Sequence, residues 1–134
     1  MTLMTTGPAK ANPGNTLPLC PNSPNCVSSQ AADAGHYIAP FKITGNIKEA
    51  WAALKQTLNK QSRTVIVHET EDALHAEATS LVLRFVDDIN AILDADAGLI
   101  HIRSASRVGY GDFGVNRKRV EALRLQLQKA RVIE

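Results

Sequence analysis

Acids, hydroxyls and arginines gather in two short stretches of this chain, Arg84-Phe-Val-Asp-Asp88 and Ile102-Arg-Ser-Ala-Ser-Arg107. A glycine-spaced loop, Val108 to Gly114, follows the second. Asp87 and Asp88 offer carboxylates, Ser104 and Ser106 offer hydroxyls, and Arg103 and Arg107 offer guanidinium groups that bind carboxylate or phosphate bidentately. Asp112, Asn116, Arg117 and Arg119 extend the set into the start of a helix. These residue types fit two chemistries. One is recognition of an anion by arginines and glycine-loop amides. The other is a hydrolase-type reaction using Asp87 or Asp88 with Ser104 or Ser106. The second lacks its usual company, because there is no nucleophile elbow and no histidine has a place beside either serine. His36, His68, His75 and His101 are scattered over different elements, and none reads as catalytic.

Gly109, Gly111 and Gly114 spell Gly-x-Gly-x-x-Gly, but a dinucleotide fingerprint needs that spacing early in a βαβ unit, and a P-loop needs Gly-Lys-Ser/Thr. No cofactor is expected. Asp112 suits a helix-entry cap. Arg117 and Arg119 stand in the first helical turn, where positive charge opposes the helix dipole. That inversion asks for a fixed partner, either an internal carboxylate (Asp87, Asp88 or Asp112) or an anionic ligand.

The two cysteines, Cys20 and Cys26, flank a turn of two prolines, two asparagines and a serine. A disulfide is the leading reading in an oxidising compartment, closing a small loop worth about 2 kcal/mol. Zinc would want Cys-x-x-Cys spacing with a nearby histidine pair, and a redox dithiol would want a helix N-terminus.

The elements that must position these groups follow from periodicity. Ile47, Ala50, Trp51, Leu54 and Leu58 recur at helical spacing, so a helix is predicted over Asn46 to Leu58, capped by Asn46 with Glu49 three residues on. Val115 to Arg131 predicts a second helix burying Val120, Leu123, Leu127 and Ala130, with six Lys or Arg against one Glu. Strands are expected at His36–Ile43, Thr64–His68, Leu74–Thr79, Leu83–Leu93 and Leu99–Val108. The order β-α-β-β-β-β-α gives an α+β, two-layer sandwich: an antiparallel sheet of four to five strands with both helices on one face. Residues 19–134 form that single domain, and residues 1–18 read as a disordered or loosely docked tail.

A four-residue loop after Asp94 would oppose Leu93 to Ile100, Ile89 to Ser104 and Asp87 to Ser106. Period two then puts Leu83, Phe85, Asp87, Ile89, Ala91 and Leu93 toward the helices, with Ile100, Ile102, Ser104, Ser106 and Val108 opposite them. Asp88, His101, Arg103 and Arg107 take the outer face. There they form either a solvated ladder of cross-strand ion pairs or an anion site, with Arg107 the expected counter-ion of a half-buried carboxylate.

At 134 residues, with 44% hydrophobic and 21% charged residues, the composition is that of an ordinary globular domain. A net charge of +2 and 4% aromatic residues argue against nucleic acid. No apolar run approaches the roughly 18 residues of a membrane span. Met1 to Leu19 has neither a basic nor an apolar leader region, so the chain as written reads as cytoplasmic, or extracytoplasmic if a leader has been lost.

Three motifs carry a family resemblance: Cys20-Pro-Asn-Ser-Pro-Asn-Cys26-Val-Ser-Ser29, Arg84-Phe-Val-Asp-Asp88, and Ile102 through Arg107-Val-Gly-Tyr-Gly-Asp-Phe-Gly-Val-Asn-Arg-Lys-Arg119. Together they resemble the domain-of-unknown-function 1499 family over about residues 17–130. The resemblance implies no particular activity. The functional expectation is an accessory or binding module for an anionic small molecule or an acidic protein segment.

Overall fold

The computed structural model describes residues 16–134. Its strands are β1 (Cys26–Ser28), β2 (Phe41–Lys42), β3 (Thr64–Glu69), β4 (Ala73–Thr79), β5 (Val86–Asp94) and β6 (Leu99–Ser106), and its helices are α1 (Ile47–Lys60) and α2 (Val115–Lys129). All strand pairs are antiparallel, in the order β1-β6-β5-β4-β3, with β2 also pairing β6. β1 meets β6 at Arg103 to Ala105 and β2 meets it at Leu99 and Ile100, so the two short strands lie end to end along one edge.

The helices form because their apolar residues fall on one stripe each. Ala50, Trp51, Leu54 and Leu58 of α1 and Val120, Leu123 and Leu127 of α2 are buried against Ala76, Ala78, Ile89, Ala91, Ile100 and Ile102 of the sheet. Asn46 caps α1 as its side-chain oxygen accepts from the Glu49 amide at 2.9 Å. Ala130 is exposed and takes no part in the stripe.

The β5–β6 hairpin has the expected register without a bulge: Leu93 opposes Ile100, Ile89 opposes Ser104, and Asp87 opposes Ser106. Its outer ends do not match the expectation. β5 begins at Val86, because Leu81 to Leu83 form a turn and Arg84 takes a left-handed φ of 59° that no strand residue adopts. Leu83 and Phe85 are exposed instead of facing the helices. β6 ends at Ser106, and Val108 is exposed as well. Of the strand expected over His36–Ile43, only Phe41–Lys42 pairs regularly, with isolated bridges at Tyr37 and Ile43. Pro40 has no amide to offer a ladder there.

β1 has no counterpart among the expected strands, the first of which begins at His36. The expected tail falls largely on residues 1–15, outside the described residues. Leu17, by contrast, is buried, and its amide donates to Gln30 Oε1 at 2.7 Å.

Candidate functional site

The inner face of the hairpin delivers Asp87 from β5 and Ser104 and Ser106 from β6 to the first turns of α2. Arg119 reaches down from α2 and pairs with Asp87 at 2.8 Å. Its other terminal nitrogen donates to Ser104 Oγ at 3.1 Å and to Asn116 Oδ1 at 2.8 Å. Asn116, fully buried, is the hub. Its carbonyl oxygen also accepts from the Ser104 hydroxyl at 2.6 Å. Its amide nitrogen lies 2.8 Å from Asp112 Oδ2, 2.9 Å from Ser106 Oγ and 3.2 Å from the Asn25 carbonyl, three acceptors sharing two hydrogens. The charges decide this orientation: the amide faces a carboxylate and the carbonyl faces a guanidinium.

Asp112 closes the helix entry. It accepts from the Gly114 amide at 2.8 Å and the Asn116 amide at 3.1 Å, as a cap should. Burial works against its charge, but these bonds and the Asn116 side chain outweigh it and hold the carboxyl below its ordinary value. Asn25 fastens the disulfide turn to the same place. Its side chain donates to the Gly109 and Val108 carbonyls, and its own carbonyl accepts the Ser106 amide at 3.0 Å. Cys20 and Cys26 are joined in the disulfide that braces this turn.

The outer face carries a separate group. Arg107 grips Asp88 with two nitrogens, both at 2.8 Å, and Glu77 at 2.6 Å. Hydrogen bonds to Asp88 and then Glu77 raise its pKa. His75 Nε2 lies 2.7 Å from Asp88. Burial raises the Asp88 pKa, but the Arg107 and His75 bonds more than reverse this and leave it below its ordinary value. Glu77 directly opposes Asp88 across the strands, so Arg107 relieves a like-charge pair. The Arg107 partner is thus the outer Asp88, and the counter-ion of the buried Asp87 is Arg119.

Arg103 departs from the expected solvated ladder. It is buried, with one terminal nitrogen donating to the Leu19 carbonyl at 3.1 Å and Nε without a partner among the described residues. The segment entering the disulfide lies over it. Burial lowers its pKa against the opposing pull of Asp88. Nearby, Ser29 Oγ accepts the Ile102 amide at 2.9 Å and sits 3.0 Å from His101 Nδ1. Burial lowers the His101 pKa despite Asp94. Ser29 and His101 form a contact that sequence reasoning missed, since only the unforeseen β1 brings them together.

Arg117 belongs to neither group. It donates to the Tyr37 carbonyl at 3.0 Å and the Gly35 carbonyl at 3.4 Å, and pairs with no carboxylate among the described residues. It lines an open hollow of about 350 Å³ together with Pro24, Val27, Gly35 and the glycine loop from Gly111 to Gly114. Gly109 and Gly114 take φ of 81° and 76°, positions that favour glycine.

The candidate residues thus resolve into an internal network, an outer ion-pair group and a hollow beside Arg117. No curated protein and no solved structure matches the chain. The profile of the family described as protein of unknown function (DUF1499) matches residues 16–127. That match runs from the disulfide turn into α2 and covers most of the chain, which belongs to that family.

Proposed function

We propose that the domain is a non-enzymatic accessory or binding module that takes an anionic group, carried by a small molecule or an acidic protein segment, into the hollow beside Arg117. One observation carries this reading: Arg117 stands on the wall of the hollow with its charge met, among the described residues, by backbone carbonyls alone. A carboxylate or phosphate is the natural complement to such a guanidinium. Asp112 shares the wall, but its two oxygens already accept from Gly114 and Asn116.

The hydrolase alternative has less support. Ser104 is fully buried and its hydroxyl is spent on Asn116, while Asp87 is held by Arg119. The Asp88 carboxylate lies on the opposite face of the sheet with Arg107. A nucleophile needs a free base and a path to substrate; Ser104 has no path, and Ser106, half-buried, is bound by the Asn116 amide beside an Asp87 already paired with Arg119.

The test is a thermal-shift titration with phosphate, succinate and an acidic peptide, run on the wild type and Arg117→Ala. The wild-type midpoint is expected to rise with at least one of them, with no rise in the variant. Equal behaviour of the two proteins, or no rise at all, would remove the reading.

A further inference from the structure

We propose that the end of the sheet bearing the glycine loop docks on the surface of an anionic lipid bilayer, with a lipid headgroup entering the hollow beside Arg117. The headgroup clause rests on the function proposed above, whereas the docking surface rests on separate observations.

The β4–β5 loop and the β6–α2 loop leave the sheet side by side. Asp87 pairs with Ser106, and the Arg107 amide donates to the Val86 carbonyl at 3.1 Å. Both loops turn large apolar side chains outward. Leu81, Val82 and Leu83 are 65%, 81% and 66% exposed, and Phe85 is 51% exposed. On the neighbouring loop Tyr110 is 71% and Phe113 97% exposed. So much apolar surface at one end of a small domain marks an interaction site.

The backbone points the same way. Phe113 has a φ of 55° and Arg84 a φ of 59°, left-handed conformations that a bulky residue resists. The Phe113 side chain, 97% exposed, gains little burial in return for that strain. Strain held at a fully exposed aromatic is a mark of function.

The shape and charge of this end select the partner. Leu81 to Leu83 are consecutive residues of a turn, so their side chains point in different directions. A rigid protein groove would cover one side of such a turn, whereas fluid hydrocarbon surrounds all of it. Between Ser80 and Val86 the one charged residue is Arg84, set between Leu83 and Phe85. Arg63 bonds the Thr79 carbonyl at the root of that loop. Arg84 and Arg63 thus belong to the β4–β5 loop and its root, while Arg117 lines the hollow with Phe113 and the capping Asp112, a set with more positive than negative charge, as anionic headgroups attract. Tyr110 adds a ring with a polar tip suited to the interfacial zone.

The experiment is co-sedimentation of the full chain with vesicles of phosphatidylcholine alone or mixed with phosphatidylglycerol. Its partners are the double variant Val82→Ser/Phe113→Ser, the variant Arg117→Ala, and a parallel thermal-shift titration with glycerol phosphate. Both serine sites are over four-fifths exposed, and an unchanged thermal midpoint confirms that the double variant folds. Wild type is expected to bind mixed vesicles at least about tenfold more tightly than neutral ones, and the double variant to lose about tenfold or more. Failure to bind mixed vesicles, or equal binding by the double variant, overturns the proposal. If glycerol phosphate or an acidic peptide binds through Arg117 while vesicles do not, the bilayer is the wrong partner and the anion-binding reading stands. If vesicles bind but Arg117→Ala changes nothing, the loops are the contact and the headgroup pocket is overturned.

Discussion

The side-chain amide of Asn116 meets the main-chain carbonyl of Asn25 at 3.2 Å across 91 residues of chain. Through that contact the disulfide turn, the β5–β6 hairpin and the start of α2 become one buried hydrogen-bonded unit. In such a unit every group is costly to leave unpaired, because water cannot replace the lost partner.

Arg119 and Arg107 should therefore differ sharply. Arg119→Ala leaves Asp87 buried without its cation, and a cost on the order of 3 kcal/mol is expected. Arg107→Ala breaks an exposed pairing with Asp88 and Glu77 and should cost about 1 kcal/mol or less. Urea denaturation of both variants checks the order, and the reverse ranking would mean that the outer face holds the domain together.

Asn116→Ala removes bonds to Ser104, Ser106, Asp112, Arg119 and Asn25 together. About 3 kcal/mol is expected, near the upper range for a single polar truncation. Ser106→Ala, on the half-buried rim of the same network, should cost about 1 kcal/mol. Similar small losses for both would show that Asn116 is not the hub.

Unreduced protein should take up no alkylating reagent at Cys20 or Cys26, and reduced protein should take up two equivalents, read by intact mass. The double variant Cys20→Ser/Cys26→Ser should lose about 2 kcal/mol, as suits a short closed loop. Its loss should fall on the docking of β1, visible as faster amide exchange at Val27 and Ser28.

His36 gives a pH dependence of defined sign. Its Nε2 lies 2.7 Å from the Ser23 carbonyl and its Nδ1 2.7 Å from Asp33, both acceptors, so the charged ring with a hydrogen on each nitrogen is the form that satisfies both contacts. The Ser23 bond raises its pKa most, burial lowers it, Asp33 raises it, and the net position is above the ordinary 6.5. A raised pKa contributes stability that is fully present below 6.5 and lost as pH rises through the folded value. His36→Gln should thus be less stable than wild type near pH 6 and converge on it toward about pH 9. A gap that widens with pH would contradict the charged clasp.

The hairpin register was legible because two constraints agree: a four-residue loop from Ala95 to Gly98, and apolar residues at alternate positions that fail if the strands slip by one. The same alternation placed Asp87 toward α2, and the misplaced cations of α2 signalled that a carboxylate waited there. Choosing Arg119 over Arg107 needed the rotation of α2 about its axis, which strand alternation does not encode. β1 was hidden because Pro21, Pro24 and two asparagines read as turn, and three residues can become a strand only when a free edge such as β6 is offered. Leu83 and Phe85 misled because they keep the strand's alternation while Arg84 between them has left it. The hollow beside Arg117 was partly visible as a glycine loop and a cation, but its far wall, Pro24 and Gly35, comes from distant sequence.

The disulfide joins residues only six apart, whereas the contacts it serves reach to Ser106, Gly109 and Asn116. Closing the short loop costs little entropy and needs no other part of the chain, while the long-range contacts must wait for the hairpin and α2. Once oxidised, the turn is held near its final shape whether or not the hairpin and α2 have formed, so it loses less freedom when it docks on β6. In a reducing environment the same turn would be ordered by its contacts with β6 and α2 alone, and those contacts would carry the whole entropic cost of shaping it.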